Sequence, residues 1–420
     1  MILKRHLALF LAFAIAICVL ATLPGCGGDD DESSEAASPT AVNTDLLGQS
    51  QAVIDMAKSG SVYSTVATGE IADIKALSPD VLPPGAVEAS SVTKVRLAYV
   101  NPWPTDFTRF NVAFVKGICN SLGWDFKYFS SKEGTVDQVQ SAFDAAIISD
   151  PDVIFGAYLP GSWLGDQLEK TRSKGILTVN VQADETTGQG FDIYIGWPTE
   201  LENQLVLHYI YTQEQGQEAE VLSIWEAAYP AYSIPGSQEL AEQMNINMEM
   251  VKSDTATMFD PVKTEQLVTA EISRRPDLDY VNWETDNMSA DAALSAVRSS
   301  GRLVTTEDSP SDGIVFFTKD GYPVGFSMLQ RGETPFYVGL PAEWAYLAAF
   351  DQTLRKLGGG TVAEGDFAYG YIANTWYPED VQPLDVSDWN AILQFNLSRY
   401  DFFELFEALW GVTLPRDYPY

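Results

Sequence analysis

The chain has 420 residues, of which 58 are acidic and 25 are basic, so its formal net charge is −33. Proteins that bind nucleic acid through electrostatics need clustered basic residues to displace counterions from phosphate, and this balance excludes that route. It also argues against binding to anionic lipid through a basic face. With 46% hydrophobic and 12% aromatic residues, the composition is that of a globular chain of one large or two smaller domains.

Histidine and cysteine are scarce. The sequence holds two histidines, His6 and His208, and three cysteines, Cys18, Cys26 and Cys119. Catalytic triads need a histidine beside the nucleophile, and zinc sites use several His or Cys ligands. The sequence also lacks the G-x-x-x-x-G-K-[ST] pattern of a nucleotide-binding loop. We therefore expect no cofactor, no metal and no enzymatic activity.

The N-terminus has the pattern of an export signal. Two basic residues precede an apolar run over 7–20, which is shorter than a comfortable membrane span. The run ends in Leu23-Pro24-Gly25-Cys26, which resembles the lipobox of bacterial lipoproteins. The resemblance implies a lipoprotein signal peptide over 1–25, cleavage before Cys26 and lipidation of that cysteine. A plain secretory signal is the alternative.

The chain changes character after the signal. Residues 27–35 are small, polar or acidic and predict a flexible tether, whereas 44–76 has mild helical patterning. A Pro-Pro-Gly stop at 83–85 closes the segment. We predict that 26–93 forms a lipid-anchored acidic tether and arm, which either packs on the body or spaces it from the membrane.

From residue 94 onward, short apolar strands alternate with amphipathic helices. This alternation predicts parallel sheets with helices on both faces. Two successive sets of similar size predict two lobes, with a ligand cleft beyond the carboxyl ends of the strands. The first set has predicted strands over 95–100, 126–129, 153–157, 177–180 and 193–196, with helices over 110–122, 137–148 and 162–173. The second has strands over 221–224, 280–283 and 313–317, with helices over 199–213, 238–250, 262–272 and 290–299.

Four phrases in the body carry a family resemblance. They are QVQSAFDAAIISDPDVI at 138–154, SKGILTVN at 173–180, PDLDYVNWETDNMSADA at 276–292 and PFYVGLP at 335–341. Their order and spacing resemble the type I periplasmic solute-binding proteins of ABC importers, in the sugar-binding branch related to ribose- and galactose-binding proteins. The likeness runs from about residue 94 to about residue 380. It implies two doubly wound parallel-sheet lobes joined by three hinge crossings, near Trp197, Gly339 and Gly360.

The last residues extend beyond the length typical of that family. Apolar residues recur at helical spacing over 388–409 and predict two helices packed on the body, with a partner surface as the alternative. The predicted domains of the body are a first lobe over 94–198 plus 338–358, a second lobe over 199–337 plus 359–385, and a C-terminal helical extension over 386–420.

A sugar site needs flat aromatic faces for the CH surface of the ring, together with amides and carboxylates for the hydroxyls. In the resemblance, Asn180 stands where relatives carry an aspartate that binds hydroxyls, and Val181 replaces the arginine beside it. Gln182 is expected to supply missing polar contacts. The predicted first-lobe contacts are Trp103, Asp106, Phe107, Phe110, Asn111, Tyr158, Trp163, Asn180 and Gln182.

The resemblance implies a second half of the site in the second lobe. Phe259 and Asp260 match an aromatic–aspartate pair before a helix, and Thr285 and Asp286 match a polar pair after a strand. Gly339 stands where ribose binders use glutamine, so we expect a ligand other than that of the best-known relatives. The predicted second-lobe contacts are Trp225, Tyr229, Phe259, Asp260, Thr285, Asp286, Glu307 and Asp308.

Each of these residues has a structural alternative. A tryptophan after a strand also covers the end of a sheet, and acidic residues mostly face water. His208, the one histidine left after cleavage of the signal, lies among apolar helix positions and is expected to be structural rather than catalytic.

The functional expectation is an exported lipoprotein on the periplasmic or extracellular face of a bacterial membrane. It would capture a small polyhydroxylated ligand, a sugar, between two closing lobes and deliver it to the permease of an ABC importer. We expect a monomer that binds no nucleic acid and is held at the membrane by its lipid. A sensory ligand-binding protein, a nucleoside-binding lipoprotein and a carbohydrate-active enzyme with paired carboxylates stay open as alternatives.

Overall fold

The computed structural model describes most of the chain beyond residue 41. The predicted signal peptide and Cys26 lie outside the described residues. The domain bounds given above stay a prediction. The described residues, all within one structural unit over Val42–Tyr420, are 42–64, 71–74, 87, 89–102, 105–131, 134–182, 189–196, 199–226, 233–283, 289–307, 310, 312–360, 362 and 370–420.

The arm begins with a helix that packs on the body. Its elements are α1 (Thr44–Ser59), β1 (Val62–Ser64) and β2 (Ile71–Asp73). Asn43 caps α1, because its side chain accepts a hydrogen bond from the N–H of Leu46 at 3.1 Å. Ile54 and Ala57 are buried against the body. The helical patterning expected over 44–76 therefore holds as far as residue 59, and the described residues that follow include the two short strands β1 and β2.

The first lobe is a parallel sheet with helices on both faces. Its elements are β3 (Arg96–Asn101), α2 (Asp106–Leu122), β4 (Asp125–Ser130), α3 (Val136–Ile148), β5 (Val153–Ala157), α4 (Gly165–Lys174), β6 (Leu177–Val181) and β7 (Ile193–Ile195). The strand order is β4-β3-β5-β6-β7. Two separate apolar clusters lie on the two sides of this sheet, which explains why β5 is apolar and buried along its whole length.

The second lobe repeats this architecture. Its elements are α5 (Thr199–Gln213), β8 (Ala219–Glu226), α6 (Ser233–Gln243), β9 (Ile246–Ser253), α7 (Thr255–Met258), α8 (Pro261–Arg274), β10 (Tyr280–Trp283), α9 (Ala290–Ser299) and β11 (Val315–Phe317). The strand order is β11-β10-β8-β9, and every pairing is parallel. The expectation of an α/β chain with two doubly wound parallel-sheet lobes is confirmed.

One predicted element of the second lobe was wrong. The sequence predicts a helix over 238–250, whereas α6 ends at Gln243 and β9 begins at Ile246. Asn245 lies between them in the left-handed region, with φ of 56°, which breaks the helix. Residues 246–253 then pair along their whole length with β8. Pairing with a distant strand therefore overrides the local helical pattern.

A third sheet joins the two lobes. Besides β1 and β2, this sheet contains β12 (Lys319–Asp320), β13 (Tyr337–Gly339) and β14 (Tyr371–Trp376). Two helices, α10 (Pro323–Gln330) and α11 (Ala342–Leu357), lie between these strands in the chain. The order is β12-β13-β14-β1-β2, so the arm contributes two strands to this hinge sheet. β12 follows β11 of the second lobe directly, and β13 leads into α11, which packs on β6 and β7 of the first lobe.

Glycines allow the hinge strands to approach closely. A Cβ atom on Gly339 would lie 3.2 Å from the Cα of Gly321. Gly339 is therefore at a crossing, as predicted. Gly360 instead lies at the C-terminal end of α11, and the hinge strand expected near it is β14, which begins at Tyr371. The crossing expected near Trp197 lies outside the described residues.

The C-terminal extension forms two main helices, as predicted. They are α13 (Trp389–Arg399) and α14 (Phe402–Trp410), preceded by the single turn α12 (Pro378–Val381). Phe402, Phe403, Phe406 and Trp410 are buried against the body. The extension therefore completes the apolar core of the first lobe.

His208 fastens the arm to the second lobe. It lies on α5, and its Nδ1 is 3.0 Å from the hydroxyl of Ser50 on α1. Burial lowers its pKa from 6.5 to about 4. The side chain is therefore neutral in the folded state near neutral pH, which fits the structural role expected for it.

The lowered pKa of His208 predicts that this residue makes its own pH-dependent contribution to the free energy of unfolding. Because the unfolded state takes up the proton first, the folded state loses stability as the pH falls from 6.5 toward 4. His208→Gln should abolish that loss, so that the variant gains about 2 kcal/mol relative to the parent between pH 7.5 and pH 5. Urea unfolding of both proteins at the two pH values measures this difference. An equal difference in stability at both pH values would contradict it.

Candidate functional site

Both sheets turn the same edge toward the hinge. The strands of each sheet are parallel, so their carboxyl ends share one edge. The chain leaves the first lobe after β7 and reaches α5 of the second within a few residues. The chain passes from β11 into hinge strand β12 after a single residue, Thr318. The two carboxyl edges therefore border the same hinge, and the space between them is the candidate ligand cleft.

Two residues at the carboxyl edge of the first sheet, and one at the end of β12, have a left-handed backbone. Tyr158 directly follows β5 with φ of 55°, and Gln182 directly follows β6 with φ of 60°. Asp320, at the end of β12, has φ of 103°. Such left-handed conformations cost a non-glycine residue on the order of 1 kcal/mol, and they recur at ligand-binding sites.

Two nearby amide side chains at the end of β6 differ in whether their hydrogen bonds are satisfied. Asn180 is buried and satisfied, because its Nδ2 donates to the carbonyl oxygen of Leu159 at 2.6 Å and its Oδ1 accepts from the N–H of Leu159 at 3.4 Å. Gln182 is also buried, with 1% of its surface exposed. Neither its Nε2 nor its Oε1 finds a hydrogen-bond partner in the described part of the chain. Asn180 thus holds the turn after β5, whereas the Gln182 amide is left unsatisfied by the described residues.

A tryptophan at the end of β8 provides a second such group. Trp225 is 4% exposed, and its Nε1 has no hydrogen-bond partner among the described residues. The Nζ atom of Lys252, on the paired strand β9, lies 4.7 Å from the centre of the indole ring. The second lobe therefore presents a buried indole donor at the edge that faces the hinge.

Four aromatic rings meet near the hinge. Phe107, at the start of α2, lies with its ring centre 4.6 Å from that of Tyr322, 5.2 Å from that of Trp389 and 6.5 Å from that of Tyr158. The hydroxyl oxygens of Tyr158 and Tyr322 are 3.2 Å apart. Tyr322 follows hinge strand β12, so this cluster joins the first lobe to the hinge.

Other first-lobe predictions fall on α2 and beyond β5. Asp106 is exposed and pairs with Arg109 at 3.1 Å. Phe110 is fully buried and stacks on Trp389 at 5.7 Å, so it lies in the core. Asn111 is 1% exposed, and its Nδ2 has no partner within the described ranges. Trp163 is half-buried in a single helical turn, where its carbonyl oxygen accepts a hydrogen bond from a helix α3 side chain.

Three second-lobe predictions lie at the surface. Asp260 caps α8, since its Oδ1 accepts hydrogen bonds from the N–H groups of Val262 at 3.0 Å and Lys263 at 3.3 Å. Phe259, beside it, is 39% exposed. Glu307 is exposed in the connection between α9 and β11. The predicted contacts Trp103, Tyr229, Thr285, Asp286 and Asp308 lie outside the described residues.

A buried polar cluster lies beside hinge strand β12, and none of its residues is among the predicted contacts. Lys319 is fully buried, and its Nζ donates to Asn203 Oδ1. Asn203 Oδ1 also accepts from Asn282 at 3.3 Å. Burial raises the pKa of Glu200 to about 7, although hydrogen bonds from Gln204 and Ser237 and the charge of Lys319 oppose this. The Lys-Asp-Gly turn signal between a strand and a helix could have drawn attention to 319–321.

The described residues contain no metal centre and no membrane-crossing helix. No group of three or more His, Cys, Asp or Glu side chains there could hold a metal ion. Among the same residues, no helix is both long and apolar enough to cross a membrane. The groups that the structure places at the carboxyl edges of the sheets include aromatic rings, the Gln182 amide and the Trp225 indole N–H.

Solved structures share the fold of this chain. A periplasmic ribose ABC transporter protein of Conexibacter woesei DSM 14684 has a TM-score of 0.56 at 14% identity and covers 72% of this chain and 96% of its own. The glucose-galactose binding protein GanP of Geobacillus stearothermophilus has a TM-score of 0.56 at 15% identity, covering 69% and 99%. A solute binding protein of Bacillus halodurans C-125 with bound myo-inositol has a TM-score of 0.54 at 14% identity, covering 69% and 97%.

These likenesses establish the class of fold. The chain has the type I periplasmic binding protein fold, with two parallel-sheet lobes and a hinge. No protein-family model and no curated protein matches the sequence. The solved structures are covered almost completely but cover about 70% of this chain, so it carries substantial structure beyond the shared fold.

The contrast between Asn180 and Gln182 predicts opposite effects on stability. Asn180→Leu should lower the free energy of unfolding by about 1–3 kcal/mol, because both backbone groups of Leu159 lose their partner. Gln182→Met should leave it unchanged or raise it by about 1–2 kcal/mol, since an unsatisfied buried amide is removed and the left-handed backbone stays equally strained. Urea unfolding of the ligand-free variants measures both. A loss for Gln182→Met as large as that for Asn180→Leu would contradict this account.

Proposed function

We propose that the chain is an extracytoplasmic solute-binding protein that captures a small polyhydroxylated ligand, a sugar, between its two lobes. The observation that carries the proposal is the pair of unsatisfied buried groups on opposite lobes, the Gln182 amide and the Trp225 indole N–H. Buried polar groups are nearly always paired in folded proteins. Two that are unpaired at facing edges of one hinge are explained if a ligand pairs with them.

The chemistry of the site fits hydroxyl groups. An amide both donates and accepts, as a hydroxyl does, whereas an indole N–H only donates. Tyr158, which is half-buried, adds an aromatic ring at the edge of the first lobe, against which the CH face of a sugar ring can pack. The three similar solved structures named above are described as ribose, glucose-galactose and myo-inositol proteins, which supports a ligand of the same chemical kind.

The fold supports capture by closure. Two rigid lobes linked by a narrow sheet can rotate about it, and a ligand that contacts both carboxyl edges favours the closed state. We propose that an ABC importer permease recognises that closed state, and that the protein acts as a monomer without a cofactor.

Binding to a panel of neutral sugars, inositols and nucleosides tests the proposal. Isothermal titration calorimetry should give one site per chain for a sugar or inositol, without turnover in product analysis. Gln182→Met and Trp225→Phe should each weaken binding by about tenfold or more, because one ligand hydrogen bond is lost. Trp124→Phe is the matched control: its indole donates to Val92 O at 3.0 Å at the opposite edge of the first sheet, so it should change stability and leave affinity intact.

The outcomes of that panel separate the alternatives. Nucleoside binding in preference to every sugar would favour the nucleoside-binding lipoprotein, and turnover of any sugar would favour an enzyme. Equal loss of affinity in all three variants would show that the cleft contacts had been assigned to the wrong residues.

We also propose that the protein is exported and anchored by lipid at Cys26, as the lipobox-like LPGC phrase implies. The chain expressed in a bacterium should partition into the detergent phase of a Triton X-114 extraction, with the mass of a diacylglyceryl group on its N-terminal peptide. Cys26→Ser should abolish the diacylglyceryl mass on the N-terminal peptide. Detection of the unmodified parent in the aqueous phase would support a plain secretory signal instead.

A further inference from the structure

The C-terminal segment over residues 378–420, here called the strap, contacts both lobes. On the first-lobe side, the rings of Phe402 and Phe406 lie 5.9 and 5.4 Å from that of Trp344 on α11. The indole N–H of Trp410 donates to the buried carboxylate of Asp351, also on α11, at 2.8 Å. One end of the strap is therefore fixed to the first lobe.

The last residues of the strap tighten this attachment. The ring of Tyr418 lies 4.8 Å from that of Phe114 on α2. A Cβ atom on Gly117 would come within 2.6 Å of the Tyr418 ring, so only glycine permits this close packing. Asn390 ties the tail to α13, since it donates to Tyr418 O at 3.0 Å and accepts from Tyr418 N–H at 2.8 Å.

The other end of the strap is hydrogen-bonded to α10 and packs against it. This helix packs on α9 of the second lobe. Gln330 on α10 donates through its Nε2 to the carbonyl oxygens of Val381 and Leu384, at 2.7 and 2.8 Å. The ring of Phe395 lies 6.0 Å from that of Phe326 on α10 and stacks at 3.9 Å on Trp376, at the end of hinge strand β14.

Trp389 lies between these two attachments. Its ring stacks on Phe110 of the first lobe at 5.7 Å and meets Tyr322, which follows hinge strand β12, edge-on at 5.5 Å. It is 8% exposed. The strap is therefore continuous from the second lobe, across the hinge, to the first.

We propose that the strap sets how far the two lobes open, and thereby controls ligand entry and release. Opening a two-lobed protein rotates α10 away from α2 and α11. The strap is held on the first lobe by several buried aromatic rings, whereas its contacts with α10 include the packing of Phe395, the two hydrogen bonds that Gln330 Nε2 donates and one from Gln382 Nε2 to Gln330 O at 3.3 Å. Wide opening therefore requires that these contacts break. This inference needs no particular ligand and goes beyond the proposed capture of a sugar.

The test measures the distance between the lobes in ligand-free protein. Spin labels are attached to Ile148→Cys in the first lobe and Val262→Cys in the second, where the native side chains are 81% and 63% exposed. The mature chain carries Cys26→Ser, and Cys119 is buried. Double electron–electron resonance then gives the distribution of interlobe distances for the parent and for each strap variant.

Three variants distinguish the loss of contacts between the strap and α10 from a general loss of stability. Gln330→Ala removes the two hydrogen bonds that the Gln330 side chain donates to the strap, and Phe395→Ala removes the ring packing on α10 and β14. Gln394→Ala is the matched control, because its amide donates to Arg416 O within the strap itself. Circular dichroism and thermal unfolding establish that each variant is folded.

The strap predicts a broader distance distribution, extended to longer distances, in Gln330→Ala, and a larger change in Phe395→Ala if that variant folds. Gln394→Ala should match the parent. An unchanged distribution in folded Gln330→Ala would overturn the proposal, as would equal broadening in Gln394→Ala. Failure of the sugar panel would leave this result untouched, so the two proposals fail separately.

Discussion

Parallel pairing within each sheet is the constraint on which the rest of the structure depends. Because every strand of a lobe runs the same way, all carboxyl ends meet at one edge, and both edges border the hinge sheet. Residues directly after the strands must therefore satisfy their polar groups there or leave them for a ligand. Asn180 satisfies its amide on the backbone of Leu159, whereas Gln182 and Trp225 do not find partners in the described part of the chain. The left-handed backbone at Tyr158 and Gln182 adds strain at the same edge.

Two additions to the shared fold act on the hinge between these edges. The arm supplies β1 and β2 to the hinge sheet and is fastened to α5 through Ser50 and His208. The strap crosses the hinge on its own course, from Gln330 on α10 to α2 and α11. We expect a five-stranded hinge sheet bridged by the strap to resist rotation more than β12, β13 and β14 alone would. Among the described residues, the arm and the strap therefore both contact the hinge sheet.

The sequence predicts those parts of the fold that local pattern determines. The strands predicted over 153–157 and 280–283 agree with β5 and β10 residue for residue, because buried parallel strands are rich in apolar residues, with Asn282 as the one polar residue of the two. The helix expected over 238–250 was wrong because Met248 and Met250 suit either structure locally, and pairing with β8 decides between them. In the site, the sequence offers Asn180 and Gln182 as equivalent amides; only the distant backbone of Leu159 distinguishes them. Phe110 was expected to face the ligand, but Trp389, far along the chain, covers it.

A structure of the protein crystallised with the sugar that binds most tightly in the panel tests the central claim most directly. The account predicts that the ligand lies between the carboxyl edges of the two sheets. One hydroxyl should be within hydrogen-bond distance, about 2.7–3.2 Å, of the Gln182 amide, and another should accept from Trp225 Nε1. A sugar bound to one lobe alone, or one that leaves both of these groups unpaired, would contradict it.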